Sequence, residues 1–452
     1  MTAESLCQAS NGIEQYPNIR PLADSMRKVL DNLFPLSHSC CICRVPKRIS
    51  HASEKAYTPQ VVSIGPLHHG KEGLKAMEEL KHRYLKEFLH RHQTVTSLED
   101  CIMKVKVEEQ LLRSCYAETI EYDSDEFVRI ILVDAIFIIE VLLRYNYENL
   151  QTENDHIFRK PRMLGDVWPD LRMLENQLPF FILEKLFNVV ATEEYSIINI
   201  SHNFFKTLMH IEEMEDTLLR IRSSPVEHLV DFVWKLYPLP PSRPATSHRP
   251  LIPVEGLESS HRGKNETLAT LDMKELYFAG VKFKVGSSKN IFDIGFKDGT
   301  LEIPKITISD QSEVNLTNLL VFEQSQCKKT DNYINDYVGF LNILVNTPKD
   351  VALLVEYDIF ENKLGDFKKG CTMIKNLGDR VNIVASKFYY ADLCEELNKH
   401  CSRSWHIWKA NLKHDYLNTP WSTLSVIAAV VLLILTLIQT VCSIIGVRQT
   451  HQ

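Results

Sequence analysis

Between residues 416 and 447 the chain carries no charged side chain. The window 421–447 reads WSTLSVIAAVVLLILTLIQTVCSIIGV, opened by Trp421 and closed by Val447. As a helix rising about 1.5 Å per residue it would be roughly 40 Å long, more than the about 30 Å hydrocarbon core of a bilayer requires. Pro420 suits a first helical turn, and Trp421 stands where an interfacial aromatic belongs. A core helix of a water-soluble domain rarely runs this long without a charge. The expectation is one C-terminal transmembrane helix over 421–447, a short tail over 448–452, and a globular head before it, with the lipid bilayer as a partner. Arg403, Lys409 and Lys413 precede the span and only Arg448 follows it, so the positive-inside rule places the head in the cytosol, and a plasma-membrane location is expected. Asn199, Asn265 and Asn315 open N-x-[ST] sequons, which would be used only if the head were translocated.

The 44% hydrophobic content leaves ample material for a core, and a net charge of −7 with no basic domain excludes a general nucleic-acid binder. Eleven irregularly spaced cysteines, Cys442 among them in the apolar tail, read as reduced thiols rather than a disulfide framework. Residues 1–20 lack the basic start and apolar run of a secretory signal and read as a polar arm.

Residues 21–238 read as helical. Leu74, Met77, Leu80, Tyr84 and Phe88 form an apolar stripe, with Lys and Glu assigned to the opposite face. Ser97 with Asp100 has the spacing of a capping box for a helix running to about residue 116. The stretch 124–146 is apolar on nearly every face, interrupted by Arg129, Asp134 and Glu140, and reads as a central core helix. Residues 239–264, rich in Pro, Ser, Arg and His, read as a loop or linker. Residues 265–415 read as an α+β part, with strands over 281–285, 291–296 and 300–308 and helices over 313–324, 332–346, 351–360 and 388–412. Trp405, Trp408 and Leu412, interspersed with Arg403, Lys409 and Lys413, could lie on anionic headgroups or pack as the last helix of the head. The fold class is therefore mainly α with a small β-containing portion (α+β), plus the C-terminal transmembrane helix.

No phosphate loop, dinucleotide fingerprint, nucleophile elbow, zincin motif or C-x-x-C pair occurs. Three weaker constellations carry candidate chemistry. Asp134 and Glu140 are costly in an apolar helix unless paired, and ion pairs, with Arg129 as a candidate partner, are expected. His68 and His69 are adjacent in an extended stretch, so they point to opposite faces, and either could serve as base, ligand or structural hydrogen-bonder. Cys394, His400, Cys401 and His406 share one segment, whereas zinc sites usually draw on two, so no metal is assigned. No cofactor and no small-molecule substrate is indicated.

Several blocks together resemble a known family. RVPKR (44–48), YTPQVVSIGPLHHG (57–70), MEELKHRYLKEFLHR (77–91), LENQLPFFILEKLF (174–187), AGVKFK (279–284), GTLEIP (299–304), VFEQ (321–324) and YADLCEELNKHC before the terminal span are similar to the plant "domain of unknown function 247" family over about residues 30–447. One departure is Cys43, where the family usually has an aromatic. The resemblance implies a single-pass plant membrane protein without established enzymatic activity, and in some grass relatives a recognition role in self-incompatibility. It offers no catalytic residues to transfer. Glu175, Asn176 and Gln177, ahead of a buried helix start, are the polar residues it brings forward. The function expected is a membrane-anchored head acting in recognition or signalling through an unidentified protein partner. The alternative is a hydrolase-like enzyme using His68 or His69 with Glu175, which requires a cleft joining them.

Overall fold

Asp123 starts the central helix, Ser124–Asn146, by accepting the Glu126 amide at 2.9 Å, and Asp125 and Glu126 occupy its first turn, where the helix dipole favours acids. The computed structural model describes residues 19–31, 41–46, 54–160, 162–189, 196–209, 211, 216–241, 272–325, 332–384, 387–402 and 420–449. In it every residue of the central helix from Phe127 to Arg144 is buried except Arg129. A helix apolar all round has no face to offer water, so it must be surrounded. The helices Lys75–Arg91, Leu98–Val107, Phe180–Phe187 and Ile197–Met209 pack around it. Ser97 and Asp100 close the capping box read from the sequence. The helix they start breaks at Glu108, and Glu109–Ser114 follows as a separate short helix rather than a continuation to 116.

A second group of helices, Asp310–Ser325, Tyr333–Leu344, Pro348–Glu356 and Phe367–Gly378, packs beside two small sheets. Strand β1 (Lys282–Gly286) matches the first expected strand closely. Of 291–296 only the end is a strand, β2 (Gly295–Lys297). The stretch 300–308 splits into β3 (Thr300–Pro304) and β4 (Ile306–Ile308), because Pro304 has no N–H with which to continue a ladder. The three-stranded sheet has the order β1-β3-β2, with β1 parallel and β2 antiparallel to β3. Asp298 and Gly299 join β2 to β3 with φ of 51° and 75°, the positive values a two-residue hairpin turn of this hand needs. Strand β4 pairs in parallel with β5 (Phe360–Asn362), which replaces the end of the helix expected over 351–360. That helix stops at Glu356, and Asp358 turns the chain at φ 56°. The fold is thus mainly helical with small sheets.

The parts on either side of 239–264 meet in one core. Trp234 donates to Glu323 (2.8 Å), the Leu174 amide donates to Asn318 (2.8 Å), and the His228 ring packs edge-on against Phe322 at 5.4 Å. Residues 242–264 of that stretch lie outside the described residues, as do the arm up to residue 18, Arg403, Trp405, Trp408, Lys409, Leu412, Lys413 and Asn265. No disulfide occurs among the described cysteines.

The chain is helical again over Pro420–Gln449. Among the described residues no single helix is long and apolar enough to cross a membrane; the apolar run with described side chains is Ile427–Thr440. Those side chains touch no core, and Leu433 and Leu437 are 70% and 68% exposed.

Candidate functional site

The stretch 57–70 lies in the interior yet joins neither sheet, so its buried amides and carbonyls need other partners. Side chains supply them. Asp170 accepts the amides of Gln60, Val61 and Val62 at 2.7–3.1 Å. Asn176 accepts the Ile64 amide (2.7 Å) and donates to the carbonyls of Val62 and Asp170, both at 3.0 Å. Asp134 accepts the Gly65 amide (2.8 Å), and Lys81 donates to the Ser63 carbonyl (2.6 Å). Asn318 donates to the Ala56 carbonyl (2.8 Å). Gln177 turns inward and donates to the carbonyls of Leu171, Met173 and Asn176, which shapes the turn leading to Phe180–Phe187.

Gly65 shows how tight this arrangement is. It sits at φ 71°, and a Cβ there would fall 2.6 Å from the Gln177 carbonyl oxygen. Gly65→Ala is expected to cost about 2–4 kcal/mol, from left-handed strain plus displacement of the Gln177 backbone. A urea midpoint unchanged from the native chain would show that the two segments are not in this contact.

The two acids of the central helix are paired, but not with Arg129, which among the described residues pairs with the neighbouring Glu126 (2.8 Å) at the surface. Asp134 pairs with Lys81 (2.6 Å), and both side chains are at most 1% exposed. The sequence pattern puts Lys81 on the polar face. It lies inward because positions 77, 81, 84 and 88 share one stripe. Burial alone would lower the Lys81 pKa, but the carboxylates of Asp134 and Glu78 more than offset it and hold it above the ordinary value. Glu140 pairs with Arg91 and with Arg144 (3.0 Å). Arg144 also reaches Asp155 (2.7 Å) and Glu87 (2.6 Å) and lies 4.0 Å over the Tyr84 ring.

Of the two histidines, His68 is the one brought to Glu175, with Nε2 3.3 Å from Oε2. Burial outweighs the neighbouring carboxylate and lowers its pKa, so the ring is neutral at pH 7. Glu175 is already engaged: it accepts the Val45 amide (2.8 Å) and lies 3.5 Å from Arg44. His69 sits apart, beside Glu126 (3.7 Å) and edge-on to Tyr122. Neither histidine nor Glu175 lines the larger of the two described clefts. Cys394 and Cys401 are buried on the helix Ala391–Ser402, His400 packs against Phe296, and His406 lies outside the described residues.

One cluster of donor types that spacing did not suggest is Cys41, Glu227 and His228, whose ligand atoms lie within 4.8 Å of one another. His228 Nδ1 accepts the Asp231 amide (3.2 Å), which leaves the proton on Nε2, facing the Cys41 carbonyl at 3.1 Å. With both ring nitrogens so used, no lone pair remains for a metal.

The larger cleft, of about 710 Å³, opens between Trp168–Arg172, the end of the Ile197–Met209 helix, the loop after β1 and the start of Asp310–Ser325. Arg172, Lys289, Lys305 and Lys363 line it, and no Asp or Glu does among the described residues. Arg172 is 2% exposed, its guanidinium lies 3.7 Å from the Trp168 ring centroid, and it donates to Gln311 (2.5 Å). Burial pulls its pKa down to about 9, so it stays cationic at neutral pH. In the sequence it stands between Leu171 and Met173, two residues after Asp170 and three before Glu175, so no local pattern marks it as buried without an opposite charge.

These features define a helical head with a small β portion, in which a side-chain-clamped segment runs beside a charged central helix. The chain belongs to the DUF247 family, plant proteins of unknown function, whose profile matches residues 42–435. The match takes in the clamp, the ion pairs and the cleft. The chain is similar to the UPF0481 protein At3g47200 of Arabidopsis thaliana, 28% identical over 424 residues, covering 90% of this chain and 87% of the relative. It is also similar to the putative UPF0481 protein At3g02645 of the same plant, 23% identical over 479 residues, covering 88% and 89%. No solved structure matches the chain.

Proposed function

We propose that this chain is a membrane-anchored, non-catalytic binding protein, held in the bilayer by residues 421–447 and acting in recognition or signalling through a protein partner. The observation that carries the reading is the uncovered apolar helix. Side chains such as Leu424, Leu433 and Leu437, each more than 60% exposed, would each gain about 1.5–3 kcal/mol by leaving water. A bilayer offers such a medium to an uncharged window of this length.

The non-catalytic part rests on how the polar candidates are spent. Asp134, Glu140, Asn176 and Gln177 hold backbone or opposite charges, and Glu175 is shared between Val45, Arg44 and His68. The contact of His68 with Glu175 is the observation that favours an enzyme instead, but His68 is 1% exposed.

A cytosolic head is the orientation favoured. Asn315 is 5% exposed and donates to the Tyr237 hydroxyl (2.7 Å), so a glycan there would have to displace core packing. Asn199 accepts from Arg222 (2.8 Å), and the Ser201 of its sequon is buried. The expected result is that the full chain stays in membranes through an alkaline carbonate wash while a chain ending at residue 415 is released. Protease added to the cytosolic face should remove an N-terminal tag, with no glycosidase shift. Release of the full chain by carbonate would overturn the anchor, and a protected tag with a glycan would overturn the orientation.

A further inference from the structure

This protein neutralises its other most deeply buried cations with carboxylates: Lys81 has Asp134, and Arg144 has Glu140, Asp155 and Glu87. Arg172 departs from that pattern. Its one side-chain partner is the neutral amide of Gln311, its Nε is buried without an acceptor, and it forms no ion pair among the described residues. A buried charge without an opposite charge is costly, and a ligand is one way to supply it. Trp168 covers one face of the guanidinium, which leaves its in-plane edge as the route to an acceptor. The volume of about 710 Å³ is in the range of small-molecule sites.

The charge balance indicates what kind of anion fits. Lys305 is already paired with Asp358 (2.6 Å) and Lys363 with Glu361 (3.5 Å), while Lys289 has a further interaction of its own. Lys289, Lys305 and Lys363 are exposed to solvent, so the one buried charge among the described lining residues is that on Arg172. The lining also offers apolar surface, on Leu208, Ile211, Ile291 and Leu316, among hydroxyl and amide side chains. We propose that the cleft binds a small organic monoanion, an aromatic or aliphatic carboxylic acid, whose carboxylate pairs with Arg172 while its apolar body lies on Leu208, Ile211 and Ile291. A phosphate dianion would call for a second buried cation beside Arg172, and none lines the cleft among the described residues. This inference stands independently of the membrane anchor.

The test is isothermal titration of the full chain in non-ionic detergent with 2-naphthoate, its neutral counterpart 2-naphthamide, and inorganic phosphate. Naphthoate should bind saturably and at least about tenfold more tightly than naphthamide, with no displacement by phosphate. Arg172→Met should bring naphthoate down to the naphthamide affinity. Because no carboxylate loses its partner, that variant should unfold at the native temperature or above. Leu208→Trp, which fills the apolar side without touching the charge, should weaken both probes. No binding of naphthoate, equal affinity for acid and amide, or unchanged naphthoate binding in Arg172→Met would overturn the proposal. Displacement by phosphate would overturn the ligand class. If Arg172→Met fails to fold, unchanged naphthoate binding by a stably folded Leu208→Trp chain overturns the site.

Discussion

Asp134→Ala is expected to lower the stability of the head by about 3–5 kcal/mol. The mutation removes little volume; its cost lies in what it leaves behind. Lys81 stays fully buried with a charge that only the partly exposed Glu78 still faces (2.7 Å), and the Gly65 amide loses its acceptor. A lysine cannot bring water with it into this position, because Ser63 and the central helix enclose it. The double change Lys81→Met with Asp134→Leu should cost clearly less than the two single changes added together, since it strands no ion. Urea denaturation of the four chains measures the coupling. Additive costs would mean that the ammonium and the carboxylate do not meet in the folded protein.

Arg144→Met should be the most damaging of the single changes, at about 5 kcal/mol, because one guanidinium serves three carboxylates. Glu140 would keep Arg91, but Asp155 would retain only neutral donors: Tyr84 (2.9 Å) and the amides of Ile157 and Phe158. The methionine can occupy the aliphatic path of the arginine, so the loss reads as charge rather than cavity. The pH dependence gives a second readout. Burial already raises the Glu140 pKa, and Arg144 is part of what holds Asp155 below the ordinary value. Without Arg144 both folded-state pKa values would move upward, Glu140 further above its ordinary value and Asp155 less far below its own. As pH falls toward about 5 the folded variant would then bind more protons than the folded native chain, so its deficit in stability should shrink. The gap to the native chain should narrow over that range. A gap constant between pH 7 and pH 5 would contradict the pairing.

The central helix was legible because its signals are local: an unbroken apolar run with acids at its start. So were the capping box and the family blocks. Of the partners of Asp134 and Glu140, Arg144 alone lies at helical spacing, four residues after Glu140. Arg129, the nearest cation to Asp134 in sequence, points outward, while Lys81 and Arg91 come from a different helix. Lys81 was hidden by its residue type, although its spacing placed it on the buried stripe. In LENQ, Gln177 serves its own turn, but the role of Glu175 and Asn176 lies in contacts 112–130 residues away, with Val62, Ile64 and Val45, which no periodicity records. β5 is three residues long and exists only because β4 lies beside it. The cleft is assembled from seven separate stretches, from Trp168 to Lys363, so no local pattern shows it.

The clamp also sets a timetable for synthesis. The bond from Asn318 to the Ala56 carbonyl spans 262 residues. A ribosome adding about 5–20 residues per second leaves roughly 13–50 s between making the two ends. Through that interval the amides of Gln60, Val61, Val62 and Ile64 have neither Asp170 nor Asn176 for the first 110 or so residues of elongation, and Ala56 lacks Asn318 for all of it. An apolar, extended and unpaired stretch is a template for aggregation, so the nascent chain should be a client of ribosome-associated chaperones until residue 318 has left the exit tunnel.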